Sequence, residues 1–391
     1  MNKNVLLLAC CQGLITTGNI LLVTISALVG QLLSPSAALT TLPVAMQMAG
    51  LLMATIPASL IMAKTGRKLG FSLGNLIGIS GTLLGVWALR ESDFALFCVA
   101  TTLIGMGIGF ATLYRFAAIE ASDKPATAIS IIMASGVVAA VLGPNLAVWV
   151  NEVYPALNYA NSFVALSGLY ILALLLLQGV RFTEVDTHTA QAPARTLKEI
   201  MAQKQFQLAV LVAMISYSVM NFLMTATPLA MHRHGFDLAD SALVIEWHVL
   251  GMFLPSFFTG KLIERFGARA MILAGCVLYL ICAVINLLGL THWHFLLALF
   301  ALGVGWNFMF ISATQLVSQT YAPQERAKTQ ACNEFLVFSM VVASSLSAGF
   351  LEATAGWQAL NVWSMPVVLV ALIATVLLSR GAAPLTRSAA G

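Results

Sequence analysis

Twelve stretches of roughly twenty mostly apolar residues recur along this 391-residue chain, and they restrict its fold more than any other feature. A helix rising about 1.5 Å per residue needs about 20 apolar residues to cross roughly 30 Å of hydrocarbon, and it satisfies its own backbone groups on the way. The spans cover 5–29, 39–63, 70–89, 94–114, 126–150 and 160–180, then 206–231, 242–262, 270–290, 295–316, 329–351 and 357–379. This pattern predicts an all-α membrane protein of twelve transmembrane helices, six plus six. The first apolar run continues to Leu33, beyond the reach of a signal-peptide core, and so reads as an uncleaved first helix.

Composition points the same way. Apolar residues make up 60% of the chain and charged residues 9%, against roughly 25% charged in a soluble domain. Mean hydropathy is +0.92, so a lipid bilayer is the expected solvent. No G-x-x-x-x-G-K-[ST] phosphate loop and no H-E-x-x-H motif occurs, which removes the machinery of an ATP-driven pump or a membrane protease. Neither enzymatic activity nor a cofactor is expected. Cys10, Cys11, Cys98, Cys276, Cys282 and Cys332 lie in apolar spans without C-x-x-C spacing and read as buried free thiols.

Lysine and arginine in short loops are retained on the cytoplasmic side during insertion. With the N-terminus inside, only Arg90 and Arg233 of the 19 basic residues fall outside; Arg115, Lys124, Arg380 and Arg387 are among those within. Both termini are therefore expected in the cytoplasm. The net charge of +4 is then topological, and no nucleic-acid partner is expected. Residues 181–205, with Glu184, Asp186, His188, Pro193, Arg195, Lys198, Glu199 and Lys204, read as a cytoplasmic linker. The linker separates an N-terminal six-helix bundle, 1–180, from a C-terminal one, 206–391.

The two sets repeat each other. Residues 59–68, Ser-Leu-Ile-Met-Ala-Lys-Thr-Gly-Arg-Lys, correspond to 260–269, Gly-Lys-Leu-Ile-Glu-Arg-Phe-Gly-Ala-Arg, at an offset of 201. Residues 123–128 correspond to 325–330 at an offset of 202, which also places Asn19 on Asn221. The repeats run parallel. Gly66 and Gly267 suit a tight turn, with Arg67, Lys68, Arg265 and Arg269 beside helix ends.

These loops resemble the G-x-L-x-D-R-x-G-R-R signature of the major facilitator superfamily, the second copy closely and the first in part. The resemblance implies a bacterial inner-membrane secondary transporter of two six-helix bundles, acting as a monomer. It also implies a conformational latch built on Gly66, Arg67, Lys68, Gly260, Glu264, Arg265, Gly267 and Arg269. Glu264 matches the acidic member of the signature and Ala63 does not, so the latch should lean on Glu264 and Arg265; alternatively these charges only anchor topology. Gly136 and the pair Gly143 and Pro144 in span 5 resemble the kinked segment of antiporter branches, although close helix packing explains the same glycines. Drug exporters of the family carry an arginine four residues before Gly105, where this chain has Thr101.

Ionisable groups within hydrocarbon cost roughly 2.5 to 3.5 kcal/mol each on insertion scales, so those present usually face a cavity or a partner. Glu246, His248 and Glu334 are the candidates for proton coupling. Glu246 and His248, two residues apart, point about 200° from one another on a helix and do not share a face. Glu334 has an alternative role as a partner of Arg326 or Lys328, and Arg115 as a partner of Glu120. Near mid-depth, Asn19, Tyr217, Asn221, Trp306 and Asn307 offer the hydrogen bonds and ring faces a planar neutral solute needs, in the spans that line the central cavity in the family. A lone membrane asparagine also serves to bond a neighbouring helix. The pairs His232/His234 and His292/His294 lack an acidic or thiolate cluster, and no metal is expected.

Alternating-access transport of a small, neutral or weakly charged organic solute is the leading reading, with or without proton coupling. A multidrug or toxic-compound exporter is one alternative. A solute sensor that does not transport is another. The segments 114–118, 225–231 and 246–260 resemble a bacterial branch that includes riboflavin transporters.

Overall fold

The computed structural model describes residues 3–114, 117–118, 121–122, 125–153, 159–182, 195–322 and 325–379. Arg115, Glu120, Asp123, Lys124, Glu184, Asp186, His188, Pro193, Arg380 and Arg387 lie outside the described residues. Helices account for the structure, and no strand occurs among the described residues. They are α1 (Lys3–Leu33), α2 (Leu42–Thr65), α3 (Arg67–Arg90), α4 (Phe94–Ala111), α5 (Pro125–Val153) and α6 (Ala160–Gln178). After a short α7 (Leu197–Met201) come α8 (Lys204–Arg233), α9 (Leu238–Phe253), α10 (Ser256–Phe266), α11 (Ala268–Leu288), α12 (His292–Ser318) and α13 (Arg326–Ser379).

Among the described residues ten helices are long and apolar enough to cross a membrane, or eleven if α9 and α10 form one broken span. That pair replaces the single helix expected over 242–262. The chain bends by 44° between them, because Pro255 has no N–H to give to the preceding turn and its ring crowds that turn's carbonyl. The Pro255 carbonyl then restarts the helix, accepting from the Phe258 and Thr259 amides at 2.9 and 2.8 Å. Spans 329–351 and 357–379 both lie within α13, which is broken at Gly356, where φ is 79° and helical geometry fails.

Packing repeats as the sequence does. α1 lies against α5 and α6, α2 against α4, and α3 against α4 and α6; in the second half α8 lies against α13, α9 against α12, and α11 against α12 and α13. Gly66 and Gly267 both have φ of 84°, a region open to glycine and strained for other residues, so the same turn joins α2 to α3 and α10 to α11. Close approaches also correspond. A Cβ on Gly105 would sit 1.9 Å from the Gln47 carbonyl oxygen, and one on Gly303 2.2 Å from that of His248. Leu60, Leu76, Leu83, Trp87 and Leu175 are exposed, as befits surfaces solvated by acyl chains. Cys11, Cys98, Cys276 and Cys282 are buried, whereas Cys10 is exposed and Cys332 half-buried, so the expectation of buried thiols fails at those two positions.

Candidate functional site

Three helices of the second half bring four aromatic rings together. Tyr217 on α8 meets Trp306 and Phe310 on α12 edge-on at centroid distances of 5.5 and 5.4 Å, and Phe338 on α13 at 5.4 Å. Trp306 and Phe310, one turn apart, stack at 4.9 Å with their planes 12° apart. The indole Nε1–H of Trp306 is buried and has no partner. A buried donor in that state has lost its water without gaining an acceptor, at a cost of about 1 to 3 kcal/mol. Glu334, near the start of α13, lies within electrostatic range of the Tyr217 hydroxyl.

In the first half, Asn19 accepts a hydrogen bond from the Gln47 amide at 2.7 Å. Gln47 is buried and its Oε1 has no partner. Sequence reasoning passed over Gln47. The repeat offset of 201 places it on His248, and both abut the glycine at which α4 or α12 crosses closely.

The remaining asparagines bind helices to one another. Asn221 donates to the Ser345 and Ser344 hydroxyls at 2.6 and 3.1 Å. Asn307 donates to the Met252 carbonyl and the Ser256 hydroxyl, each at 2.6 Å, and accepts from Thr259 at 2.6 Å. His248 is buried, with Nδ1 2.8 Å from the Leu299 carbonyl and Nε2 unpartnered. Glu246 faces the other way and accepts from Asn145 on α5 at 2.6 Å. Gly143 presses on α1, where a Cβ would come within 2.8 Å of Ile20, and α5 continues through Pro144.

Besides the Asn145–Glu246 bond, Thr41, just before α2, joins α13: its hydroxyl donates to the Ser345 carbonyl at 2.7 Å and accepts from the Gly349 amide at 3.1 Å. These two hydrogen-bonded links between the halves lie toward the ends of the helices remote from the Gly66 and Gly267 turns. At the turn end, Lys68 donates to the Gln178 carbonyl at 2.7 Å and Arg265 lies 5.2 Å from the Phe266 ring centroid. Glu264 makes no ion pair among the described residues, and a Cβ on Gly260 would meet open space.

Arg195, ahead of α7, is fastened to the second half. Arg195 grips Glu325 through Nε at 2.9 Å and a terminal nitrogen at 2.6 Å, and donates to the Thr320 carbonyl at 3.0 Å. Lys328 donates to the Arg195 carbonyl. The guanidinium, helped by the Ala322 amide, holds the Glu325 carboxyl well below its usual range, at about 2. No cluster of three His, Cys, Asp or Glu residues that could hold a metal ion occurs among the described residues.

The sequence profile of the Major Facilitator Superfamily matches residues 6–247 and again 209–390. This chain belongs to the Major Facilitator Superfamily. Among its superfamily relatives is the riboflavin transporter RfnT of Brucella anthropi, 39% identical over 379 residues that cover 96% of this chain and 95% of that one. An uncharacterized MFS-type transporter of Bacillus subtilis, YddS, is 28% identical, covering 87% and 82% of the two chains. Two solved structures share the fold. The nucleoside transporter NupG superposes with a TM-score of 0.74 at 12% identity, over 98% of this chain and 100% of the other. An auto-inhibited POT family peptide transporter gives 0.69 at 12% identity, over 100% and 99%.

Proposed function

We propose that this chain carries a small, planar, neutral or weakly charged organic solute across the membrane by alternating access, with riboflavin as the first candidate. The observation that carries the reading is the buried, unpartnered Trp306 Nε1–H within the aromatic group of Tyr217, Phe310 and Phe338. A flat heterocycle would present ring faces to these side chains and a carbonyl or ring nitrogen to the indole. The similarity to a riboflavin transporter supports the same solute class.

In this account residues 1–180 and 206–391 form two six-helix bundles joined by 181–205. The count of twelve helices follows from taking α9 with α10 as one span and dividing α13 at Gly356. The excess of basic residues at the turn end supports cytoplasmic termini in a bacterial inner membrane. The hydrogen bonds between the halves at the opposite end support a state closed to the outside, and the absence of a Glu264 ion pair among the described residues fits a latch that engages only when the inner side shuts. Asn19, Tyr217 and Trp306 would meet solute, whereas Asn221 and Asn307 hold helices together. Glu246 and Glu334 are the proton-coupling groups: the first bonds across the halves, and the second lies within electrostatic range of Tyr217. His248, bonded inside the second half, serves packing.

Uptake into proteoliposomes tests the proposal, with labelled riboflavin, nucleosides and a lipophilic cationic dye offered separately, with and without a pH gradient. Saturable riboflavin uptake, lost in Trp306→Phe, is expected. Transport of the dye alone would replace this reading with a toxic-compound exporter, and binding of riboflavin without uptake would replace it with a sensor.

A further inference from the structure

A concave site lies at the turn end of the first half, away from the aromatic group. It is a cavity of about 690 Å³ lined by Lys3, Asn4, Lys68, Gln178, Gly179, Val180 and Arg181. Three cations from three separate elements converge on it: Lys3 from the start of α1, Lys68 from the first turn of α3, and Arg181 from just beyond α6. None of the lining residues is acidic.

The framework is built rather than incidental. Asn4 donates to the Arg181 carbonyl at 2.9 Å and accepts from the Arg181 amide at 3.1 Å, stitching the start of α1 to the end of α6. Lys68 is tied to the last turn of α6 through the Gln178 carbonyl at 2.7 Å. The Lys68 ammonium, the Asn4 side chain and the Arg181 backbone are thereby fixed around one hollow.

Below these cations the same helices are apolar and open. Leu6 lies one turn beyond Lys3, Leu69 follows Lys68, and Leu172 and Leu175 lie two to three turns before Arg181; all four are exposed. A ligand that satisfies both features has an anionic head and hydrocarbon chains. We propose that this cavity binds the phosphate headgroup of an anionic phospholipid, whose acyl chains lie along α1, α3 and α6. Clustered basic groups at a membrane surface attract such lipids, and a hollow between helices adds shape to the charge. The bound lipid would brace α1, α3 and α6 against one another at the end where the α2–α3 turn must move. The site does not depend on which solute the protein carries.

Native mass spectrometry and melting temperature, both on the full-length protein in detergent, test the proposal with cardiolipin, phosphatidylglycerol, phosphatidylcholine and inorganic phosphate as separate additions. Cardiolipin or phosphatidylglycerol should stay bound and raise the melting temperature, while phosphatidylcholine should do neither. Lys3→Gln with Arg181→Gln should weaken retention of the anionic lipid by on the order of tenfold or more, given the attraction expected of each basic group. Lys3→Arg with Arg181→Lys should preserve it, and serves as the folded control. Equal retention by the Gln and charge-preserving variants would overturn the assignment. So would a failure of both anionic lipids to bind the folded wild type. An equal shift with inorganic phosphate alone would make the hollow a site for soluble anions and would equally remove the lipid.

Discussion

The Thr41 hydroxyl bridges the carbonyl of Ser345 and the amide of Gly349, two groups one helical turn apart that pair with each other in a regular helix. A single buried side chain from the start of α2 thus enters the backbone ladder of α13. Ser345 also receives the Asn221 amide on its hydroxyl, so one residue links α8, α13 and the first half.

Thr41→Val keeps the side-chain shape and removes both bonds. It should destabilise the folded protein by about 1 to 2 kcal/mol in unfolding titrations, because buried groups on α13 lose a partner. Thr41→Ser should cost markedly less. In the transport account, the Val variant should also expose a cysteine placed near Ser345 to outside reagents more often.

Gly105 and Gly303 carry equivalent close crossings, so equivalent damage is expected. Gly105→Ala and Gly303→Ala should each cost about 1 to 3 kcal/mol, since the clashing atoms are backbone oxygens that cannot swing away. Gly168, with nothing within 4 Å of a Cβ, is the control. Gly168→Ala in mid-helix should be neutral or stabilising by up to about 1 kcal/mol. Melting temperatures of the three proteins give the comparison.

The Arg195–Glu325 clamp has a defined pH range. The folded carboxyl, at about 2, lies below the ordinary value of 4.5. Its contribution is complete above about 4.5 and is lost as pH falls toward about 2. The melting-temperature difference between wild type and Glu325→Gln should be flat from neutrality to about pH 5, then shrink on further acidification. A difference that grew on acidification would contradict the assignment of the shift to Arg195.

The membrane class, the parallel repeat and the Gly66 and Gly267 turns were legible because hydropathy, loop charge and glycine report directly on chain geometry. Helix rotation was not. Asn19, Asn221 and Asn307 carry the same chemistry and each bonds a neighbouring helix, but only the packing of α8 on α13 and of α12 on α9 buries Asn221 and Asn307 completely while Asn19 stays half-buried. Gln47 escaped notice because its partner, Asn19, sits 28 residues earlier on another helix. The break at Pro255 was written in the sequence, yet an apolar span with a proline in it reads equally well as a kinked helix. The fastening of Arg195 to Glu325 joins residues 130 apart, and no local pattern announces such a pair.

Calorimetric titration of riboflavin into the purified protein tests the central claim most directly. Saturable binding to wild type is expected, weakened roughly tenfold or more by Tyr217→Ala and by Trp306→Phe, since a stacking ring or a buried donor is worth about 1 to 3 kcal/mol. Failure of the folded wild type to bind riboflavin or any other planar heterocycle, or binding indifferent to both substitutions, would contradict the account.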